Sequence, residues 1–400
     1  MRPHIDAQPR LSVTVACVVA AIALAVAMGI GRFAFTPLLP LMIRDGALAA
    51  SAAAWLAASN YLGYLTGALT ASRLSLSLPA LMRTSLAGVV VSTAGMAVAT
   101  SGLDGLAAWV ALRFLAGVFS AWALVATSAW ALQQLARAGR ADLAGMVYAG
   151  VGLGIAFVGL YCLAAARPGV PASRLWLELA GLAALAVAFA GLFVGRSSGT
   201  SGSGGQTLAV GARPRACAGI VISYGVLGFG YILPATFLPA LARQVVDDPQ
   251  VFGLAWPVFG IAAALSTIAT ARHFSRANPL RVWAVSHLLM GAGVVLPSLW
   301  LTPATIAIAA LLVGSTFMVV TMIGMQEARA RAPGNPAALL GLMTAAFAIG
   351  QLAGPIVSGA LDLLPVGHAA ALAYALQLAA FALAVSAAYL WQMSRRTSRS

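Results

Sequence analysis

The chain is 400 residues long, with 61% hydrophobic and only 8% charged residues. A soluble domain carries about 25% charged residues, so this chain lacks the polar surface needed to face water, and its natural solvent is lipid. The formal net charge is +14 and all 23 basic residues are arginine; they are scattered between long apolar runs rather than gathered on one face, which argues against a nucleic-acid partner.

Runs of about 20 apolar residues, the length of a bilayer core, follow one another along the chain. Helices are the form in which such runs satisfy their backbone in lipid; the alternation that marks β-barrel strands is absent. The first run, 12–43, follows Arg2 and Arg10 and continues past any plausible cleavage site, so it reads as a retained span rather than a signal peptide. Arg32 lies about twenty residues into it. An arginine at that depth costs at least about 2.5–3.5 kcal/mol, so it must face a wet cavity or partners inside the bundle. Its five fixed donors suit a carboxylate or another planar anion; the alternative is a purely structural arginine bonded to span-end carbonyls and asparagine. Gly29 and Gly31 allow a neighbouring helix to approach closely, while Pro37 and Pro40 loosen or kink the span and free carbonyls.

Span two, 51–71, carries Asn60, Tyr61 and, one turn on, Tyr64; span three is 84–103. Span four, 106–134, carries Arg113 near its Asp104 end, within snorkelling reach of the interface. Span five, 142–166, carries Tyr148, and span six, 174–195, carries Glu178 about one turn inside. Residues 196–215 (RSSGTSGSGGQTLAVGARPR) are rich in glycine and serine, basic at both ends, and read as a flexible linker. Span seven, 216–242, carries Tyr224 and Tyr231; span eight, 251–271, carries Trp256; span nine, 282–301, carries His287. Spans ten (303–326, closed by Glu327), eleven (337–363, with Gln351) and twelve (368–393) complete the chain. The expected organisation is therefore an all-α membrane protein of twelve transmembrane helices: an N-terminal six-helix bundle (1–195), a cytoplasmic linker (196–215) and a C-terminal six-helix bundle (216–400).

Arginine placement orients these spans. With the N-terminus inside, 17 arginines fall in cytoplasmic segments and four (Arg44, Arg167, Arg174, Arg243) on the other side, leaving Arg32 and Arg113 within spans. Both termini are thus expected in the cytoplasm of a bacterial inner membrane. The halves also repeat. At an offset of 199, Gly29, Gly31, Leu39, Pro40 and Arg44 match Gly228, Gly230, Leu238, Pro239 and Arg243, and Arg32 corresponds to Tyr231; Gly145 and Gly154 match Gly341 and Gly350 at an offset of 196. Parallel six-span halves place a transporter's site near the midplane between them.

The segment GIGRFAFTPLLPLM (29–42) resembles the first-span signature of the YbfB/YjiJ branch of the major facilitator superfamily. RFLAGVFSAWAL (113–124), YAGVGLGIA (148–156) and FAIGQLAGP (347–355) are similar to superfamily segments in spans four, five and eleven. The resemblance implies the two-bundle fold, transport by alternating access, and a substrate or coupling role for Arg113. The superfamily's usual Asp-Arg-x-Gly-Arg loop between spans two and three is altered: residues 67–83 keep Arg73 and Arg83 but hold no acid.

The expected function is secondary active or facilitative transport of a small organic solute, anionic or carboxylated. Substrate-binding candidates are Arg32, Arg113, Asn60, Tyr61, Tyr148, Tyr231 and Gln351; Gly29, Gly31, Pro37, Pro40, Gly228, Gly230, Pro239, Gly354 and Pro355 are candidates for gating and flexibility. For each tyrosine the competing reading is packing with one satisfied hydroxyl, and for His287 a satisfied core histidine. Export of hydrophobic drugs and, after it, a non-transporting sensor are the alternatives. No P-loop or HExxH occurs, and neither an enzyme, a cofactor nor a metal is expected. A monomer in the bilayer is the expected state, with Cys17, Cys162 and Cys217 serving as packing residues.

Overall fold

The computed structural model describes residues 12–49, 52–98, 103–165, 169–194, 214–242, 245, 253–332, 336–363, 365 and 367–397. Nearly all of the expected linker, together with Arg2, Arg10, Arg167, Arg196, Arg213, Arg243, Arg399 and the side chain of Pro239, lies outside the described residues.

Among the described residues twelve long helical segments follow in order, with a short 3-10 turn (Ala141–Leu143) ahead of the fifth: α1 (Val13–Arg44), α2 (Ala53–Thr70), α3 (Leu78–Val98), α4 (Leu103–Arg137), α5 (Ala144–Ala165), α6 (Ala172–Val194), α7 (Pro214–Ala242), α8 (Ala255–His273), α9 (Pro279–Leu299), α10 (Pro303–Arg331), α11 (Pro336–Asp362) and α12 (His368–Thr397). Ten are long and apolar enough to cross a membrane; α2 and α8, which are counterparts in the two halves, fall below that measure. Polar chemistry is concentrated on α2, which carries Ser59, Asn60, Tyr61, Tyr64 and Thr66. The sequence reading began span three at residue 84, but α3 starts at Leu78, because Ser77 accepts the Ala80 N–H at 3.4 Å and Pro79 is tolerated in a first turn. Arg83 therefore sits inside the helix. The abrupt joint between α9 and α10 is set by a capping box, Thr302 with Thr305, ahead of Pro303.

Contacts repeat between the halves. α2 packs on α4 as α8 packs on α10, α3 on α6 as α9 on α12, and α1 on α5 as α7 on α11. Two pairs make the most extensive joints between the bundles, α2 with α11 and α5 with α8, and smaller contacts run from α4 to α10 and α11 and from α5 to α10. Small residues make these approaches possible: a Cβ on Gly29 would meet the backbone of Gly154, one on Gly228 the backbone of Phe347, and one on Gly152 the backbone of Gly260 and Ala264. Without a hydrophobic drive between helices in lipid, such backbone proximity supplies the packing. On the outside, α6 exposes Leu177, Leu185 and Leu192, and α12 exposes Phe381, Val385 and Tyr389. Apolar stripes of this kind are a liability in water and the required surface in a bilayer.

α1 is not one regular helix. An α-helical stretch, Val13–Leu24, passes into a π-helical turn, Ala25–Ile30, then into turns at residues 31–34, and resumes as Phe35–Arg44. Gly31 N–H bonds to Val26 O and Phe33 N–H to Met28 O, both at 2.9 Å and both five residues back. Pro37 explains the break. It has no N–H to offer Phe33 O, and its ring crowds that carbonyl; Thr36 N–H takes it instead, at 3.2 Å. Pro37 thus interrupts the span directly after Arg32, while Pro40 lies inside the helix that resumes at Phe35.

The glycine contact between α1 and α5 yields a prediction. Gly154→Val places a branched side chain against the backbone of Ala25, and overpacking of this kind costs about 1–3 kcal/mol. The variant is expected to unfold at lower temperature than wild type in detergent, measured by thermal unfolding followed by size-exclusion chromatography.

Candidate functional site

The irregular turn of α1 brings Arg32 and the backbone around it to the middle of the molecule. Arg32 is buried, at 3% exposure. Its Nη2 donates to Oε1 of Gln351 on α11, a bond that crosses from one bundle to the other. Its Cζ lies 3.8 Å from the centroid of the Tyr64 ring, so one face of the guanidinium is covered, a cation–π contact that is strengthened by desolvation. The rings of Phe33, Tyr61 and Phe347 stand at 5.7, 5.8 and 5.9 Å. Nε and Nη1 are buried with no hydrogen-bond partner among the described residues.

Arg113 of α4 does different work. It is equally buried and does not snorkel. Nη1 donates to Gly31 O and Nη2 to Arg32 O, both at 3.2 Å, and Cζ lies 4.8 Å from the Phe35 ring. These are carbonyls of the broken segment of α1. Ser120, two turns further along α4, donates to Ala27 O at 2.8 Å. α4 therefore supplies the donors that the interrupted ladder of α1 lacks, and so holds Arg32 in place. Asn60 of α2 supports Arg113 in turn by donating to its carbonyl at 2.9 Å.

A small recess opens between the bundles here, about 40 Å³ in volume, lined by Arg32, Phe33, Phe35, Thr36, Ala57, Tyr61, Arg113, Tyr231, Ile232, Ala235, Trp256 and Gln351. That is room for little more than a water molecule, so the site is nearly shut. Its far wall is aromatic and stacked: Tyr231 lies on Phe317 at 4.3 Å and Trp256 on Phe259 at 5.4 Å. The Tyr231 hydroxyl and Trp256 Nε1 have no partner among the described residues. A larger cavity, about 570 Å³, lies between α1, α5 and α6 with an edge on α8; its lining, from Cys17 and Val18 to Phe157 and Ile268, is apolar throughout. It offers nothing to orient a polar solute, and the recess around Arg32 is the candidate site despite its smaller size.

Five of the seven expected binding residues (Arg32, Arg113, Tyr61, Tyr231 and Gln351) line the recess. Asn60 stands behind Arg113, and Tyr148 is buried on α5 away from the lining. Arg32 and its repeat counterpart Tyr231 face the same space. Sequence reading did not select Phe33, Phe35, Thr36 or Ala57. Phe33 and Phe35 flank Arg32 in the first-span motif, but nothing in the sequence shows that the helix unwinds there and turns them to the site. Gly230 packs on Leu383 of α12 and Gly354 on Ile232 of α7; Pro40 and Pro355 lie inside α1 and α11.

Other charged and polar groups are accounted for away from the recess. His287 accepts from Trp283 Nε1 at 2.9 Å, and its Nδ1 lies 3.1 Å from Ser386 Oγ, the environment of a satisfied core histidine. Glu178 pairs with Arg174 at 2.7 Å and Glu327 with Arg331 at 2.8 Å. No Asp or Glu is buried among the described residues, and no His/Cys/Asp/Glu group there could hold a metal ion.

The two arginines should respond oppositely to removal. Arg113→Met removes two bonds from a charged donor, each contributing about 1.5–3 kcal/mol, and strands two carbonyls. Arg32→Met removes a buried cation that has no acid partner and two unpaired nitrogens, and the desolvation cost it relieves offsets the loss of the Gln351 bond and the Tyr64 contact. Scanning fluorimetry of unliganded protein in detergent is expected to show a clear fall in Tm for Arg113→Met and none for Arg32→Met. Equal losses in the two variants would contradict this division of roles.

A family model described as "Uncharacterised MFS-type transporter YbfB" matches residues 24–391. No curated protein matches the sequence. Among solved structures, the chain is similar to the human organic anion transporter MFSD10 (TETRAN), with 16% identity, 94% of this chain and 100% of that one covered, and a TM-score of 0.71. It is also similar to the transporter FucP in the outward conformation, with 12% identity, 95% and 99% covered, and a TM-score of 0.72. A double-tryptophan mutant of XylE gives 14% identity, 96% of each chain covered, and a TM-score of 0.74. At these identities the likeness concerns the fold alone.

Proposed function

This chain belongs to the YbfB-type family of the major facilitator superfamily, a multi-pass membrane transporter, and on that premise we propose that it carries a small organic anion, with a carboxylate as the charged group. One observation carries the reading: Arg32 presents two unpaired N–H groups in a recess between the bundles, with no buried acid among the described residues to neutralise it. A buried guanidinium without a carboxylate is costly to maintain. A solute that brings its own negative charge offsets that cost while it is bound, and the flat donor array matches a carboxylate best.

Alternating access then takes the form of the N-terminal bundle (1–195) rocking against the C-terminal bundle (216–400), joined by a cytoplasmic linker at 196–215. The Arg32–Gln351 bond, which crosses between the bundles, is the contact a bound anion would compete with. Gly29, Gly31, Gly228 and Gly230 in the first span of each half, Pro37, Pro40 and Pro239 beside them, and Gly354 and Pro355 on α11 are the positions at which the helices bend or slide. Arginine bias supports an orientation with both termini in the cytoplasm of a bacterial inner membrane. Arg73, Arg83, Arg137, Arg140, Arg272, Arg276, Arg281, Arg329, Arg331, Arg395 and Arg396 gather at one end of the helices, and only Arg44 and Arg174 of the described residues lie at the other. The monomer is the proposed transporting unit.

Reconstitution tests the charge assignment. In proteoliposomes preloaded with a panel of small carboxylates, wild-type protein is expected to show counterflow of at least one. Arg32→Ala should abolish it, and Arg32→Lys, which keeps the charge but not the planar fork, should retain only a small fraction. Undiminished counterflow in Arg32→Ala would rule out the anion site.

A further inference from the structure

Phe33 occupies a position that the packing of α1 does not require. It belongs to the turns at residues 31–34, the one stretch of α1 with neither α- nor π-helical regularity. Its side chain is buried, at 7% exposure, and lines the recess beside Arg32. Its ring contacts cross to the other bundle. It sits edge-on to Trp256 of α8 at 6.0 Å and to Phe317 of α10 at 6.3 Å, both in the opposite half. Those two rings are themselves backed by flat stacking, Trp256 on Phe259 and Phe317 on Tyr231. The C-terminal half thus presents a stacked aromatic wall, and one phenyl ring from the N-terminal half rests against it.

The geometry relative to Arg32 is specific. Tyr64 covers one face of the guanidinium, and the unpaired groups, Nε and Nη1, lie along its edges. A carboxylate would therefore approach in the guanidinium plane. Hydrogen-bonded at the usual N···O separation of about 2.8 Å, an aryl carboxylate holds its ring centroid roughly 6–7 Å from Cζ. The Phe33 centroid stands nearer, at 5.7 Å, so a ring held by Arg32 on that side would meet Phe33, and it is Phe33, not Tyr61 or Phe347, whose edge contacts reach Trp256 and Phe317. We propose that Phe33 is a resident plug in the substrate's ring slot: the transported solute is a one-ring aromatic monocarboxylate, whose carboxylate bonds to Arg32 and whose ring displaces Phe33 from the edges of Trp256 and Phe317. Offset and edge-to-face ring contacts are the preferred aromatic geometries, so the wall that receives Phe33 receives an aryl ring in the same manner. The near-closure of the recess follows, because the plug fills it. The unpaired Tyr231 hydroxyl and Trp256 N–H are donors on the same wall for a ring substituent that accepts hydrogen bonds.

This inference rests on the anion reading of Arg32, and the test separates the two. Binding of benzoate, cyclohexanecarboxylate, acetate, benzamide and 2-naphthoate to purified full-length protein is measured by thermal shift and tryptophan fluorescence. Benzoate is expected to bind at least tenfold tighter than acetate or cyclohexanecarboxylate, with benzamide silent. If benzamide matched benzoate, the anion reading itself would fail. If benzamide were silent but acetate or cyclohexanecarboxylate matched benzoate, the anion reading would stand and the ring slot would be overturned. In Phe33→Ala, with the plug removed, benzoate is expected to bind several-fold tighter and 2-naphthoate, excluded by wild type, to be accepted. Continued exclusion of 2-naphthoate would overturn the plug. Should Phe33→Ala fail to fold, Phe33→Leu serves, with a smaller gain in the same direction expected, and the wild-type comparison decides the ring slot without either variant.

Discussion

In a bilayer a backbone carbonyl without a donor has no water to turn to, and the centre of this molecule is organised around that constraint. α1 departs from α-helical regularity across residues 25–34, and Pro37 withholds the donor for the last of those carbonyls but one, Phe33 O. Three of the carbonyls in that stretch are met from α4, two by Arg113 and one by Ser120. Because the donors come from a neighbouring helix, the break is held in one shape. Arg32 then projects from a fixed turn, and Gln351, Tyr64 and the aromatic wall are arranged about it. Arg113 thus holds the turn from which Arg32 projects, and it lines the recess itself, with its own Nε unpaired among the described residues.

Much of the architecture was legible in the sequence because it depends on quantities that composition and spacing carry. Span length follows from bilayer thickness, and helical form from the need to satisfy the backbone. The repeat at an offset of 199 corresponds to matching helix contacts in the two halves. Arg32 was legible for the same kind of reason: a charge at membrane depth is too costly to be incidental. The aromatic wall was not. Phe259, Phe317 and Phe347 are ordinary apolar residues in ordinary apolar helices, and only their convergence across α8, α10 and α11 gives them a common face. The role of Arg113 was also hidden. Its position toward one end of a span suggested snorkelling, but the carbonyls it meets exist only because another helix unwinds.

The two joints between the bundles differ in character. α5 and α8 approach backbone to backbone at Gly145, Gly152, Gly159 and Gly260, from one end of the pair to the other. α2 and α11 touch through Gly341 against Ala68 and through Tyr64 edge-on to Phe347 at 6.4 Å. The second joint borders Arg32 and Gln351, and Trp256 on α8, beside the Pro257 that packs on Gly159, extends the recess to the first, so chemistry at the recess bears on both seams.

The pairing of Arg32 with Tyr231 across the repeat has a consequence for how such a protein diversifies. At equivalent positions of the repeat one half places a cation and the other a phenol, and both face one space. The half that fixes the cation does so through three bonds to carbonyls of a broken turn, each of which a substitution would strand. The other half contributes rings held by stacking alone, and a mutation there alters the shape of the wall without unsettling the charge. One bundle supplies the charge of the recess and the other much of its aromatic wall, so the two properties can be altered separately.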